Sequence, residues 1–244
     1  MKAKLERAGK GEMILFIHGA GGNANSWFYQ TEGLKSQSEV VAVDLPGHGK
    51  ASVSKGCTSI EEYRDSVHSA LSSSGIDKCY IVGHSMGGAI AMTFALTFPD
   101  KVKGIVLVGT GAKLKVFPQI LEGIMKDKEK TLSSIIEYAV SKNAPASLKK
   151  GCFDEMMKCN PEVIYGDFLA CDRFNAMETL NTIDVPTLIV CGTEDALTPP
   201  KYSIYLHQNI KESRLVLIKD AGHMVMMEKP DEVNNAIIDF ISSI

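Results

Sequence analysis

Residues 79–92 read Cys79-Tyr80-Ile81-Val82-Gly83-His84-Ser85-Met86-Gly87-Gly88-Ala89-Ile90-Ala91-Met92, an apolar run that breaks at Gly-x-Ser-x-Gly and resumes as an alanine-rich segment. That order predicts a strand, a sharp turn and a helix, with Ser85 at the tip of the turn. Gly83 and Gly87 carry no Cβ to clash where backbone passes close by, so a strained serine conformation can persist between them. A serine placed there meets its base on one side and a helix N-terminus on the other. The same five-residue pattern also arises by chance in glycine-rich loops, and it is the flanking strand and helix signals that single this copy out.

Upstream, Met13-Ile14-Leu15-Phe16-Ile17 reads as a strand ending in the glycine-rich loop His18-Gly19-Ala20-Gly21-Gly22-Asn23, with a helix following at residues 26–34. Such a loop can aim backbone N–H groups at developing negative charge. A plain strand-to-helix connection and a dinucleotide loop are the alternatives; against a nucleotide, no Gly-x-Gly-x-x-Gly opens that helix and no Walker lysine follows. Weak alternation over residues 3–8 and the turn Gly9-Lys10-Gly11 predict a hairpin with this strand. Residues 39–43 form the next apolar run, closed by Asp44-Leu45-Pro46-Gly47-His48-Gly49, a Pro-Gly turn in which Asp44 and His48 read as turn-holding residues. Thr58-Ser59-Ile60-Glu61 matches a capping box, and Ile60, Tyr63, Val67 and Leu71 continue at helical spacing to Gly75.

Downstream, residues 104–108 supply another wholly apolar strand. Strands alternating with helices imply an α/β fold with a mostly parallel central sheet and helices on both faces. Over residues 113–182 the strand signals stop. Ile120, Leu121 and Ile124, then Leu132, Ile135, Ile136, Ala139 and Val140, then Leu148, Phe153, Met156 and Met157, then Val163, Phe168 and Leu169 predict three or four amphipathic helices, broken near Asn143-Ala144-Pro145 and Asn160-Pro161. This segment reads as a helical insertion into a core made of residues 1–112 and 183–244. Strands return with Val185-Pro186-Thr187-Leu188-Ile189-Val190-Cys191 and with residues 214–218. A last helix opens at Pro230, with Val233, Ala236, Ile237, Phe240 and Ile241 facing inward.

Composition narrows the function classes. The 244 residues suffice for one sizeable core, and an apolar fraction of 45% is ordinary for a globular chain. Lysine plus arginine is 26 against 29 acids, a net charge of −3, which argues against a nucleic-acid partner. No stretch approaches the roughly 20 apolar residues that cross a bilayer. Met1-Lys2-Ala3-Lys4 has no apolar run directly behind it, so no signal peptide is expected and a cytoplasmic address is the default. The six cysteines show neither Cys-x-x-Cys nor metal-ligand spacing with histidine, so reduced structural thiols are expected, with no metal and no cofactor.

Serine is a weak nucleophile unless a base takes its proton, and that base needs a third group, usually a carboxylate, to orient it. Loops after the later strands contain both: Gly192-Thr193-Glu194-Asp195-Ala196-Leu197-Thr198-Pro199 and Ala221-Gly222-His223. In a parallel sheet these loops share one edge with the Ser85 turn. The chain order is Ser, Asp, His.

With these residues in place the chain resembles the alpha/beta-hydrolase fold enzymes, in particular cofactor-free serine esterases and lipases with a helical cap, and the likeness covers essentially the whole chain. It matches the nucleophile elbow to residues 83–87, the oxyanion loop to residues 18–22, the acid to Asp195 rather than Glu194, and the terminal histidine to His223. Two departures are an amino terminus short for the family's eight strands, which implies a trimmed sheet, and Ala20 in place of a three-glycine run. The resemblance implies Ser85, Asp195 and His223 as the catalytic residues, with oxyanion donors at the N–H groups of Ala20 and Met86. Gly19, Trp27, Met156, Phe168 and Met224 are expected at the substrate, although packing under the loop is the ordinary role for Trp27. His84 is expected to pack in the elbow, His18 to support the oxyanion loop, and His68 and His207 to be solvated. Asp172 and Arg173 either line the entrance or bridge cap and core.

The expected partner is a small-molecule ester, small to medium and apolar, and the oligomeric state is left open between monomer and dimer. Carbon–carbon hydrolysis of a ring-cleavage diketone, or enol-lactone opening, uses the same residues; ring-cleavage hydrolases tend to carry an aromatic residue after the histidine, where this chain has Met224. A non-catalytic binding module on the same fold is the third possibility. Chemistry that needs a carboxylate at the elbow is excluded by Ser85.

Overall fold

The structure is a computed structural model that describes residues 3–244. Among these residues seven strands, β1 (Lys4–Ala8), β2 (Glu12–Ile17), β3 (Ser38–Asp44), β4 (Cys79–His84), β5 (Val102–Val108), β6 (Thr187–Gly192) and β7 (Ser213–Ile218), form one sheet in the order β1-β3-β2-β4-β5-β6-β7. All neighbours are parallel except β1 and β3. Helices α1 (Phe28–Leu34), α2 (Ile60–Ser73) and α3 (Met86–Thr97) fall between the early strands, and α4 (Pro118–Lys126), α5 (Lys128–Ala139), α6 (Ala146–Lys158) and α7 (Pro161–Arg173) lie between β5 and β6. The chain closes with α8 (Pro200–Asn209), α9 (Val225–Glu228) and α10 (Pro230–Ser242). No helix of the described residues is long and apolar enough to cross a membrane.

The near-continuous apolar character of the strands follows from burial on both faces. Leu15, Ile17, Ile81, Ile105 and Leu107 pack on one side against α2 and α3, while Ile14, Phe16, Val82, Val106 and Val190 pack on the other against Trp27 and α10. Each such wholly buried side chain stabilises the fold by roughly 1.5–3 kcal/mol. From β2 the chain moves outward to β3 and then back across to β4, so its direction reverses between β2 and β4. In open α/β sheets ligands bind outside the carboxyl ends of the strands at such a reversal. The glycine-rich loop leaves β2 and the Ser85 turn leaves β4 at that place.

The predicted opening hairpin is not formed. Strand β1 pairs antiparallel with β3, Lys4 opposite Asp44 and Ala8 opposite Val40, because both edges of β2 are taken by β3 and β4. Gly9 (φ 83°) and Gly11 (φ 125°) carry the chain past the start of β3, and a Cβ on Gly9 would lie 2.2 Å from the Ser38 carbonyl oxygen. The capping box of α2 sits one residue later than predicted. Ser59 accepts the Glu62 N–H at 3.2 Å, and the Glu62 carboxylate accepts the Thr58 N–H at 2.8 Å. Between β5 and β6, Asp127, Asn160 and Pro161 set helix starts, Asp127 accepting the Lys130 N–H and Asn160 that of Glu162.

Candidate active site

Strand β4 ends at His84, and Ser85 takes φ 53° and ψ −115° before α3 begins at Met86. A non-glycine residue in that conformation costs of order 1–3 kcal/mol, so surrounding structure must impose it. The glycines show how. A Cβ on Gly83 would lie 2.1 Å from the Gly87 oxygen, and one on Gly87 would lie 2.2 Å from the Ile17 oxygen. The Ser85 N–H donates to the Val108 oxygen at 2.9 Å, while the Ser85 oxygen accepts the Gly88 N–H at 2.9 Å and the Thr110 hydroxyl at 2.8 Å.

His223 and Asp195 arrive from loops after β7 and β6. The Asp195 Oδ2 lies 2.9 Å from the His223 Nδ1 and also accepts the Thr198 hydroxyl at 2.8 Å, while Oδ1 accepts the N–H groups of Leu197 and Thr198 at 3.0 and 2.8 Å. Burial opposes a charge on Asp195, but the His223 ring and the Thr198 donors outweigh it and hold the carboxyl below its ordinary range. Because a carboxylate only accepts, the His223 proton sits on Nδ1 and Nε2 carries the free lone pair. Glu194 turns the other way, its Oε2 accepting the Lys142 N–H at 3.1 Å. Thr198 was not singled out by sequence, although an Asp followed by Thr three residues later is a recognisable turn signal.

The glycine-rich loop lies directly against the serine. A Cβ on Gly19 would sit 3.2 Å from the Ser85 Cβ and 3.0 Å from the His84 Nδ1. The Gly22 N–H closes a turn on the Gly19 oxygen at 3.1 Å, and Gly21 (φ 65°) donates to the Asp167 Oδ2 at 2.8 Å. Among the described residues the N–H groups of Ala20 and Met86 have no intramolecular partner. Ala20 lines both cavities beside Ser85, and Met86 follows the serine at the start of α3.

Buried histidines fasten these loops. The His18 Nε2 accepts the Leu45 N–H at 3.2 Å, so its Nδ1 donates to the Gly19 oxygen at 2.8 Å. The His84 Nε2 donates to the His223 oxygen at 3.0 Å, tying the elbow to the histidine loop. Burial, helped by repulsion from a neighbouring histidine in each case, pushes both rings down to about 3. Both are neutral. His48 differs: its Nδ1 faces the Pro46 oxygen at 3.1 Å and its Nε2 faces the Asp167 Oδ2 at 2.8 Å, two acceptors that require a proton on each nitrogen. Burial pulls the His48 ring down, but the Asp167 charge and hydrogen bond outweigh it and hold the ring well above its ordinary value. Asp44 holds the turn as read, accepting the N–H groups of Ala24 and Lys50 at 2.8 and 2.9 Å.

Two cavities meet at Ser85. One, of about 120 Å³, is lined by Gly19, Met156, Phe168 and Met224, together with Ile136, Cys152 and Met227. The other, of about 460 Å³, is lined by Leu114, Phe117, Ile120, Tyr138 and Tyr202. Ala20, Ser85, Ile135, Phe168, Leu197 and His223 line both. Ser85 and His223 share this wall, and no hydrogen bond joins their side chains among the described residues. The end of α5 and the linker that follows it are fastened to the loop that carries His223. Ala139 accepts the Met224 N–H at 2.9 Å, and the Glu228 carboxylate accepts the N–H groups of Ser141 and Gly222, each at 2.9 Å.

With that geometry established, the sequence pattern of the alpha/beta hydrolase fold matches residues 12–150 and 163–230. The chain belongs to the alpha/beta hydrolase fold family. Among curated relatives it is 27% identical to a 2-hydroxy-6-oxo-6-phenylhexa-2,4-dienoate hydrolase from Comamonas testosteroni, over 96% of this chain and 89% of that protein. It is 29% identical to a pimeloyl-[acyl-carrier protein] methyl ester esterase from Neisseria meningitidis, over 95% of this chain and 94% of that protein. Among solved structures, a thermophilic esterase superposes with a TM-score of 0.86 at 34% identity, covering 98% of each chain.

Within this alpha/beta hydrolase two site expectations need correction. Trp27 does not line either cavity. It is wholly buried, closes the short helical turn Ala24–Trp27, and packs on Phe16 at 5.1 Å and on His84 at 6.4 Å. His68 is not solvated but half-buried, stacked on Phe98 at 4.1 Å, whereas His207 is exposed. Asp172 accepts Lys115 Nζ at 3.1 Å and the Val116 N–H at 3.2 Å, joining the end of α7 to the chain just before α4. Burial pushes the thiols of Cys79 and Cys191 up to about 12, which keeps them protonated.

The neutral histidines predict acid lability. With His18 and His84 at about 3 when folded and near the ordinary 6.5 when unfolded, the unfolded chain binds protons first as pH falls below about 6.5. Their contribution is full above that value and declines towards pH 3, by up to about 1.4 kcal/mol per pH unit for each ring. His48, being raised, keeps its contribution throughout that interval and loses it only as pH rises through its folded value. Thermal unfolding at pH 5 is therefore expected roughly 10 °C below that at pH 7. An equal midpoint at the two pH values would show that the rings are not held neutral.

Proposed function

We propose that this hydrolase cleaves carboxylic esters of small to medium apolar substrates through an acyl-enzyme on Ser85. The observation that carries this is one wall shared by a serine held at φ 53° and a histidine whose Nδ1 is bonded to a buried carboxylate, facing cavities lined mainly by apolar side chains. Ser85 Oγ attacks the ester carbonyl carbon while the His223 Nε2 takes its proton, and Asp195 stabilises the imidazolium that forms. The carbonyl oxygen, now an oxyanion, accepts from the N–H groups of Ala20 and Met86, each such donor lowering the barrier by roughly 3 kcal/mol. His223 returns the proton to the departing alcohol. Water then repeats the sequence on the acyl-enzyme and releases the acid. The names of two relatives, a methyl ester esterase and a thermophilic esterase, support this class.

Carbon–carbon hydrolysis is the second reading, because the Comamonas relative is named for a dienoate. A dienoate carries a carboxylate and calls for a cation near the serine. The smaller cavity has no lysine or arginine among its described lining residues, and its one charged residue is Glu155. Lys115 in the larger cavity is paired with Asp172. Together with Met224 after the histidine, this favours neutral esters. A panel of p-nitrophenyl esters, lactones and ring-cleavage diketones is expected to give turnover on short esters, with a fluorophosphonate adding once, at Ser85. Turnover confined to the diketones would replace ester hydrolysis by the second reading, and labelling without turnover of any substrate would favour a binding module.

In this proposal residues 113–182 act as a lid that sets substrate size. Met156 and Phe168 stand in the cavity wall, and a Cβ on Gly21 would meet the Met156 methyl at 2.8 Å. Met156→Ala and Phe168→Ala are each expected to raise kcat/KM for a hexanoate ester relative to an acetate ester by roughly 10-fold, the scale of one or two methylenes in an apolar pocket. Chain-length selectivity unchanged in both variants would leave these side chains with a packing role alone.

A further inference from the structure

We propose that Asp167, carried by α7, is a positioning residue for the oxyanion loop and acts through the Gly21 N–H. The inference rests on the ester-hydrolase reading above. Asp167 is wholly buried on the inserted segment, yet it takes no part in the Ser85, His223 and Asp195 set. Its Oδ2 accepts the Gly21 N–H and the His48 Nε2, each at 2.8 Å, and its Oδ1 accepts the Tyr63 hydroxyl. The Tyr63 oxygen in turn accepts the Cys57 N–H at 3.2 Å. Donors from three separate parts of the core, the loop after β2, the turn after β3 and α2, therefore converge on one carboxylate of the insertion.

A buried ion pair is an expensive way to fasten two surfaces. Desolvating the two charges costs several kcal/mol, and an apolar contact of the same size is often as stable or more so. The neighbours on α7 supply that apolar alternative, since Val163, Ile164 and Ala170 are all buried. What an apolar side chain lacks is an acceptor, and the loop needs one. Residues Gly19 to Gly22 form a β-turn closed by the 3.1 Å bond from the Gly22 N–H to the Gly19 oxygen, with Ala20 and Gly21 as its central pair. Gly21 at φ 65° is the left-handed third position that distinguishes a type II turn from the commoner type I. The two types differ by a flip of the central peptide, the one that carries the Gly21 N–H. An acceptor outside the turn selects the flip, and Asp167 is that acceptor. Ala20, whose N–H is the candidate oxyanion donor, is the residue on which the flip turns.

The test uses the full chain with Asp167→Ala and Asp167→Asn, each titrated with a fluorophosphonate so that kcat is counted per competent serine. Substrate is p-nitrophenyl butyrate, and phenylboronic acid, which forms a tetrahedral anion on a serine, reports the oxyanion site. Loss of one donor costs about 10²–10³ in turnover, so a donor displaced but present is expected to lower kcat in Asp167→Ala by roughly 30-fold. KM should stay within about twofold, while boronate affinity falls in step with kcat. Asp167→Asn retains an oxygen for the Gly21 N–H and should recover to within about fivefold of wild type. A merely structural latch would lower the melting temperature and the number of titratable serines with kcat per serine unchanged, and that result overturns the proposal. An Asn chain as slow as the Ala chain overturns the route through Gly21. Should the Ala chain fail to fold, Asp167→Leu, which fills the site with an apolar side chain and offers no acceptor, takes its place, and wild-type kcat per serine and boronate affinity in it would both count against the proposal. If wild type itself neither labels nor turns over, the ester-hydrolase reading fails; normal wild-type chemistry with normal variants sinks this inference alone.

Discussion

Ester turnover by Ser85→Ala is expected to fall by about 10⁶-fold, the loss seen when a serine that acts as one unit with its base is removed. The backbone gives reason to expect a pure loss of chemistry. Residue 85 sits at φ 53° because the Gly83 and Gly87 contacts and the Val108, Gly88 and Thr110 hydrogen bonds hold it there, and none of these uses the serine hydroxyl. Alanine meets the same strain, so the melting temperature should hardly move. What remains is catalysis by the loop N–H groups acting on water, of order 10³-fold over the uncatalysed rate. The measurement is kcat for p-nitrophenyl butyrate beside thermal unfolding of both proteins. Activity within tenfold of wild type, or a fluorophosphonate adduct that persists in the variant, would remove Ser85 from the mechanism.

The parts of the fold that could be read from sequence are those whose signal is local. Strand β4, the turn at Ser85 and helix α3 announce themselves within 14 residues, because a doubly buried strand must be apolar throughout and the turn must be glycine on both sides. Between β5 and β6 the apolar spacing predicts three or four helices with breaks near Pro145 and Pro161; both breaks are present, and the further one at Asp127 between α4 and α5 had no Pro or Gly to mark it. Partners of an edge strand are not local. Nothing between Ala3 and Ala8 distinguishes pairing with β2 from pairing with β3; the choice is made by β4 occupying the other edge of β2. Trp27 was named at the substrate although packing under the loop is its ordinary role, and the short helical turn holds it in that packing role against Phe16. Asp167 gave no signal at all. An acid on an amphipathic helix ordinarily faces water, and its donors Gly21 and His48 are 146 and 119 positions away in the chain. His48 was read as a turn residue, which accounts for its bond to Pro46 but not for the charge that Asp167 keeps on it.

The sequence reading takes Asp195 rather than its neighbour Glu194 as the orienting acid, and the geometry gives the reason why the two substitutions should differ. Asp195→Asn is expected to lower turnover by about 10⁴-fold with little loss of folding. The reason lies in how many donors each carboxylate oxygen faces. Oδ1 takes two backbone N–H groups, from Leu197 and Thr198, which an amide NH₂ cannot replace, so the oxygen of an asparagine must occupy that position. Its NH₂ then faces the His223 Nδ1 at the place now filled by Oδ2. A donor there forces Nδ1 to become the acceptor and moves the ring proton to Nε2, the nitrogen that receives the serine proton in the proposed mechanism. The histidine is then in the wrong tautomer for its task while every backbone contact of the loop survives. Glu194→Gln should do far less, within about twofold, because among the described residues its carboxylate accepts the Lys142 N–H alone, and a glutamine oxygen can still accept it. Thr198 would lose its Oδ2 acceptor in the Asp195→Asn chain but can turn its hydroxyl elsewhere, so the melting temperature should drop only modestly. Turnover that collapses in Glu194→Gln and survives in Asp195→Asn, at matched melting temperatures, would transfer the orienting role to Glu194 and leave Ser85 and His223 in place.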